Sequence, residues 1–219
     1  SVERLKMDFL KLMQERYTTK YYDPQKNIPE EILQKILECL RLTPSSVNMQ
    51  GWRFYLLDRA SKKCIREAIP DFNMQRFDSC DKVLVLCAKQ DLDLAYATKV
   101  ATKQFEDGRI KEAQIKAVAE GCLAFAKGHE TDIGILNWTA RQTYIAMATV
   151  LYAAQSYGVD STAVEGVDLN KVDKLMQLND EGYASTSLIL LGYRSEHDSN
   201  TLDKRPKSRL SMEDILIRR

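Results

Sequence analysis

D-I-G-I-L-N-W-T-A-R-Q-T-Y-I-A-M-A-T-V-L-Y-A-A-Q-S-Y, residues 132–157, reads as the most informative helix of the chain. Its second half, Tyr144 to Ala154, is apolar on every side apart from Thr149. A helix with no polar face has to be buried all round. In a chain of 219 residues that makes it a central helix, or one sunk in a subunit interface. Gly158 stops it. Outward from this helix toward the C-terminus, Ser161–Val164 reads as a strand, Leu169–Leu178 as a helix and Ser185–Arg194 as a final core strand. Toward the N-terminus, Lys111–Lys127 and Leu92–Phe105 are helical, the latter closed by Asp107-Gly108. Lys82–Lys89 (K-V-L-V-L-C-A-K) is an uninterrupted apolar run suited to a central strand.

Ser61–Ala68 is a short helix and Arg53–Asp58 a strand. Asn27-Ile28-Pro29-Glu30-Glu31 opens a helix that runs to Leu42, with proline and acids in its first turn. Thr43-Pro44-Ser45-Ser46 ends it, because a residue before proline is driven out of the helical region. Val2, Leu5, Phe9, Leu12 and Met13 form a helical stripe over Val2–Gln14. Strands and helices alternate without repeats, low-complexity tracts or a linker, so a single α/β or α+β domain over residues 1–219 is expected.

Composition removes several function classes. The net charge is +1, from 32 basic and 31 acidic residues. No global field exists to gather nucleic acid or anionic lipid, and any anion site must be local. No apolar run approaches the ~18 residues of a membrane span, and residues 1–11 lack the features of a signal peptide, so a cytoplasmic protein is expected. The five cysteines (Cys39, Cys64, Cys80, Cys87, Cys122) are scattered and form no C-x-x-C pair, which points to reduced, mostly buried thiols. The nine glycines never fall two apart, so neither G-x-G-x-x-G nor a P-loop is present. Two histidines, His129 and His197, make no dense ligand cluster, and no metal site is expected. No G-x-S-x-G marks a nucleophile elbow.

Four segments carry chemistry: Glu15-Arg16-Tyr17-Thr18-Thr19-Lys20, Pro44-Ser45-Ser46-Val47-Asn48-Met49-Gln50-Gly51-Trp52, Val164-Glu165-Gly166 and Pro206-Lys207-Ser208-Arg209. Taken singly, they read as a solvated helix end, turns and an exposed tail. Together with Phe72-Asn73, Asp107-Gly108-Arg109, Trp138/Gln142/Tyr144 and Gly182-Tyr183, in this order and spacing, the chain resembles the nitroreductase family of flavoenzymes. It stands close to the oxygen-insensitive NAD(P)H nitroreductase branch.

The resemblance implies an α+β fold with a central, mixed but mainly antiparallel sheet flanked by helices. It also implies a homodimer with an extended C-terminal tail, a non-covalent FMN, and NAD(P)H as reductant. Without a glycine-rich loop, the FMN phosphate needs arginine and lysine donors with hydroxyl help. By similarity these are Arg16, Thr18, Lys207 and Arg209. Ser45, Ser46 and Asn48 are implied for the ribityl chain and ring edge, and Asn73 for the pyrimidine edge. Cations there favour the reduced ring, a role that falls to Lys20 and to Arg76, where the family usually carries lysine. Glu165 resembles the residue whose backbone N–H faces flavin N5, and Gly166 allows close backbone approach. Glu165 and Lys20 are thus the implied catalytic pair. Tyr17, Pro44, Ala163 and Val164 complete the implied cofactor contacts, and Val47, Phe72 and Phe125 the acceptor pocket. Val47 replaces a frequent threonine, and Ala163 and Gly51 replace prolines, which bears on substrate preference.

The expected activity is two-electron transfer from NAD(P)H to nitroaromatics, quinones or similar acceptors by a ping-pong cycle. Reduction of free flavin or dihydropteridine on the same scaffold, and a non-catalytic FMN-binding protein, are the alternatives.

Overall fold

Four strands, β1 (Trp52–Leu57), β2 (Lys82–Lys89), β3 (Asp160–Val164) and β4 (Tyr183–Gly192), form an antiparallel sheet in the order β1-β2-β4-β3. The computed structural model describes residues 8–219. β2 occupies the interior of the sheet, as its apolar run requires, because both of its faces are covered. Val83, Val85 and Cys87 pack with Leu188 and Leu190 of β4 into one core, against Ile65, Phe77, Val172 and Leu178. The alternate residues Leu84 and Leu86 join Ile189 and Leu191 in a second core on the opposite face. Among the described residues the sheet is mixed only through a parallel bridge of Thr18 with Ser161; its named strands all pair antiparallel.

The helices are α1 (Phe9–Glu15), α2 (Glu30–Arg41), α3 (Asp71–Ser79), α4 (Leu94–Glu106), α5 (Ile115–Lys127), α6 (Ile135–Ser156), α7 (Leu169–Met176) and α8 (Met212–Ile215). Of the stripe expected over Val2–Gln14, residues 1–7 lie outside the described residues. Ser61–Ala68 is helical with 3-10 geometry. The helix α3 has no counterpart among the elements expected from sequence. Its C-terminal carbonyls are closed by side chains: the buried Lys62 Nζ donates to Phe77 O (2.6 Å), Asp78 O (2.9 Å) and Cys80 O (2.8 Å). Arg59 adds bonds to Ser79 O (3.2 Å) and Cys80 O (3.0 Å). Carbonyls at a helix end need such donors, so α3 is held from outside rather than by its own sequence.

α6 packs on the sheet and on α2 and α1, burying Ala146, Met147, Val150, Ala153 and Ala154. The expectation that its second half is buried on all sides is not met within one chain, since Tyr144 and Ile145 are each 42% exposed. A third core joins Met49, Leu92 and Trp138 to α4 and α5. None of the described helices is long and apolar enough to cross a membrane.

The cysteines divide more finely than expected. Cys80 and Cys87 are buried, Cys39 and Cys122 half-buried and Cys64 exposed. Burial pushes the Cys80 thiol up to about 11 and that of Cys87 to about 12. Since the thiolate is the nucleophile, native alkylation at pH 8 should mark Cys64 first and leave Cys80 and Cys87 unmodified until denaturant is added. Peptide mass spectrometry reads this directly, and early labelling of Cys87 would contradict the packing of β2.

Candidate functional site

The N-terminal cation segment begins where α1 ends. Arg16 leaves the helix with φ −64° and ψ 133°, and the chain runs on to the Thr18 bridge with Ser161 of β3. Thr19 N–H donates to Ser161 O (3.2 Å). This lays Arg16, Tyr17, Thr18 and Lys20 alongside the edge of the sheet. The fastening is Asp198, fully buried. Its Oδ2 accepts from Tyr17 Oη (2.8 Å), and its Oδ1 from the N–H groups of Lys20 (3.1 Å) and Asn200 (3.3 Å). Asn200 Nδ2 in turn donates to Thr18 O (2.7 Å). Burial, then the bond to Asp198, pushes the Tyr17 phenol up to about 12.

Because residues 198–200 are tied to residues 17–20, the following Pro206–Arg209 arrives beside Arg16, and Lys207 Nζ donates to Arg16 O. The result is a groove of about 270 Å³ lined by Arg16, Thr18, Arg205, Lys207 and Arg209, with no carboxylate in its wall. Burial lowers the pKa of Arg16, and the neighbouring Arg209 lowers it further. Lys207 is lowered by burial, Arg16 and Arg209. Cations crowded together in this way are relieved by a bound anion.

The second cluster lies where β3 ends. Asn73 of α3 is buried and its Nδ2 donates to Gly166 O at 2.7 Å. The Phe72 ring lies against the same glycine although the residue is 72% exposed. A Cβ on Gly166 would stand 2.7 Å from Asn73 Nδ2 and 2.9 Å from the Phe72 ring, so only glycine fits without movement. Arg76, half-buried, sits one turn further along α3. Val164 is buried, with Ala163 and Glu165 exposed on either side of it. The Glu165 carboxylate accepts from Tyr144 Oη of α6. Burial, then Glu165, pushes the Tyr144 phenol up to about 12.

The third group is the loop Pro44–Gln50. Ser45 Oγ accepts from Gln50 N–H (3.1 Å), so the hydroxyl serves the turn. Ser46 N–H donates to Gln142 Oε1 of α6 (2.8 Å). Val47 (φ 48°), Asn48 (φ 51°) and Gln50 (φ 51°) all adopt positive φ without being glycine. For a β-branched residue this is a genuine outlier, and each such residue costs roughly 1–3 kcal/mol. The surroundings hold the loop in place: Tyr96 Oη donates to Gln50 O, and Val47 packs against the third core.

Gln142 and Tyr144 lie two residues apart on α6, which places them on opposite sides of the helix. One chain therefore brings together the Arg16–Arg209 groove and, at the two ends of β3, the Asn73–Gly166–Glu165 group. It keeps the Pro44–Gln50 loop on the other side of α6. Phe125, 51% exposed, belongs to an aromatic group with His129 (5.4 Å) and Trp138 (6.3 Å). That group borders the same third core as Val47. Asp198, Asn200 and the supporting roles of Gln142 and Tyr144 were not marked by the sequence pattern. A buried aspartate inside R-S-E-H-D-S-N looks like any surface loop.

Comparison with known proteins bears on the family and the fold. The chain is 31% identical to the oxygen-insensitive NAD(P)H nitroreductase of Salmonella typhimurium, across 96% of this chain and 99% of that protein. It is 30% identical to the major NAD(P)H-flavin oxidoreductase of Aliivibrio fischeri, across 93% of this chain and 95% of that protein. Its fold matches the crystal structure of a nitroreductase family protein from Streptococcus pneumoniae with a TM-score of 0.78. That match has 21% identity and covers 96% of this chain and all of the other. The pattern of the nitroreductase family matches residues 13–193, and the chain belongs to that family.

Proposed function

We propose that this chain is an FMN-dependent oxidoreductase that passes two electrons from NAD(P)H to nitroaromatics, quinones or similar small acceptors. In this reading it works in the cytoplasm as a homodimer, each chain one domain over residues 1–219. The observation that carries the reading is the carboxylate-free groove where Arg16, Thr18, Lys207 and Arg209 meet. A phosphate group carries close to two negative charges at neutral pH, and this donor set suits it. At Gly166 the missing Cβ leaves room for Asn73 and the Phe72 ring to close on the backbone beside Glu165. FMN, when bound, supplies a centre that takes up and releases electrons in pairs.

The chain's own residues do the rest. Arg16, Thr18, Lys207 and Arg209 hold the phosphate, while Tyr17 ties the segment to Asp198 and the Thr18 bridge ties it to β3. Asn73 donates to the Gly166 carbonyl and so holds the backbone just past Glu165, whose own N–H is the one that faces flavin N5. Lys20 and Arg76 supply positive charge where negative charge gathers on reduction. Val47, Phe72 and Phe125 wall the acceptor position. Donor and acceptor use that position in turn, because no glycine-rich fingerprint provides the nicotinamide with a domain of its own. Parallel lines in double-reciprocal plots at several acceptor concentrations are expected, and intersecting lines would contradict one shared place.

The homodimer reading rests on unpaired apolar surface. Phe9, Leu10, Tyr144, Ile145, Leu210, Met212, Ile215 and Ile217 are all exposed in the single chain. Apolar area of this extent marks an interaction surface. The separation of Ser45, Ser46 and Asn48 from the Gly166 side of α6 is also explained if the loop serves a second copy. Light scattering should give twice the mass of one chain, and a monomer that retains FMN would contradict the reading.

A direct test of turnover is to add NADPH and then a nitrofuran to the purified yellow protein. The colour should bleach and return. Protein that never bleaches would be a carrier, not an enzyme. The flavin oxidoreductase relative favours a second reading, reduction of free flavin; comparing free FMN with the nitrofuran as acceptor separates the two.

A further inference from the structure

The turn that leaves β3 is held at three acceptors. Glu165 O accepts from the N–H of Val167 (2.8 Å), Gly166 O from Asn73 Nδ2 of α3 (2.7 Å), and the Glu165 carboxylate from Tyr144 Oη of α6. Just beyond, Asp168 N–H donates to Ala68 O (2.9 Å). The donors of the turn are treated differently: among the described residues, the N–H groups of Glu165 and Gly166 meet no acceptor. Ser161 O accepts from Thr19 N–H at the outer edge of β3. By the two-residue period of a strand, the Glu165 N–H faces that same side, past the stretch that Thr18 and Thr19 cover. The turn is thus clamped from α3 and α6 while its N–H groups are left open.

Tyr144 has no other task within one chain. It belongs to none of the three cores. Its phenol, pushed up to about 12 by burial and then by Glu165, remains a donor throughout the neutral range. We propose that Tyr144 is a positioning residue: its hydroxyl ties the Glu165 carboxylate to α6 and so keeps the Glu165 N–H aimed at the reacting flavin ring. This rests on the FMN reading given above.

Tyr144→Phe is the test, because it removes one hydroxyl and keeps the ring that packs and faces outward. In the full chain, with FMN and after its removal, the N–H groups of Val167 and Asp168 should exchange with deuterium about tenfold faster, the size of one hydrogen bond to a charged group. Glu165→Ala should match it. Glu165→Gln keeps an acceptor for the phenol and should stay within about twofold of the wild type. In the holoenzyme, Tyr144→Phe should slow the bleaching of flavin by NADPH under argon about tenfold, with half-saturation and FMN affinity unchanged. Unchanged exchange in Tyr144→Phe, or faster exchange with a wild-type bleaching rate, would overturn the positioning role and leave the FMN reading standing. Purified wild-type protein that binds no flavin would overturn both.

Discussion

Gly166→Ala should lower turnover of a nitroaromatic acceptor about a hundredfold while leaving a folded protein. The added Cβ would stand 2.7 Å from Asn73 Nδ2 and 2.9 Å from the Phe72 ring. Phe72 is exposed and can swing away. Asn73 cannot do so freely, because it is buried on α3 and its amide is spent on Gly166 O. The clash is therefore relieved by breaking that bond and moving the backbone at Gly166, directly beside Glu165. A displacement of about 1 Å near reacting atoms is enough for a loss of that size. The fold should tolerate it, since Gly166 lies outside the three cores and in no strand. Steady-state rates and a thermal melt check both halves. Wild-type turnover would show that this peptide does not face the reaction.

Arg209→Ala should weaken FMN binding roughly 10- to 150-fold, the equivalent of the ~1.5–3 kcal/mol typical of a hydrogen bond to a charged group. Arg16→Ala should act in the same range. The double variant should lose less than the product of the two, because both side chains serve one anion and neighbouring residues that share a partner do not act additively. Stability of the flavin-free protein should hardly change. Lys207 and Arg209 are exposed, and among the described residues neither pairs with a carboxylate. Flavin content after desalting and a fluorescence titration give the affinities. Equal flavin in variant and wild type would remove the phosphate from this groove.

The sequence pattern carried some of these features and hid others for identifiable reasons. Every residue of Lys82–Lys89 lies in β2, because a strand covered on both faces leaves an unbroken apolar run. The helix α2 announced itself through Pro29, Glu30 and Glu31 at its start. The helix α3 did not, since D-F-N-M-Q-R-F-D-S buries Asn73 and Ser79 beside Phe77 and shows no clean apolar stripe. Its ends are set by Pro70 and by the distant Lys62 and Arg59. In α6 the apolar run holds residues on both sides: Ala146 and Val150 are buried within the chain, while Tyr144 and Ile145 face outward, which leaves the subunit-interface alternative for that side. In the site, cations 193 positions apart (209 minus 16) were legible through resemblance alone. Asp198, which joins the two ends, carries no local signal, for its role exists only once the chain has folded.

The bridge between Thr18 and Ser161 has one more consequence. β3 is the last strand of the sheet, and the outer edge of a sheet is a row of unpaired amides and carbonyls that invites another chain to stack on it. Residues 18 and 19 cover part of that row. The segment that carries Arg16 thereby also guards this edge against pairing with a foreign strand. Trimming the chain past Thr19 would expose a template for fibril-like pairing and at the same time remove Arg16 and Thr18 from the wall of the cation groove. Shelf life and ligand retention should therefore fail together.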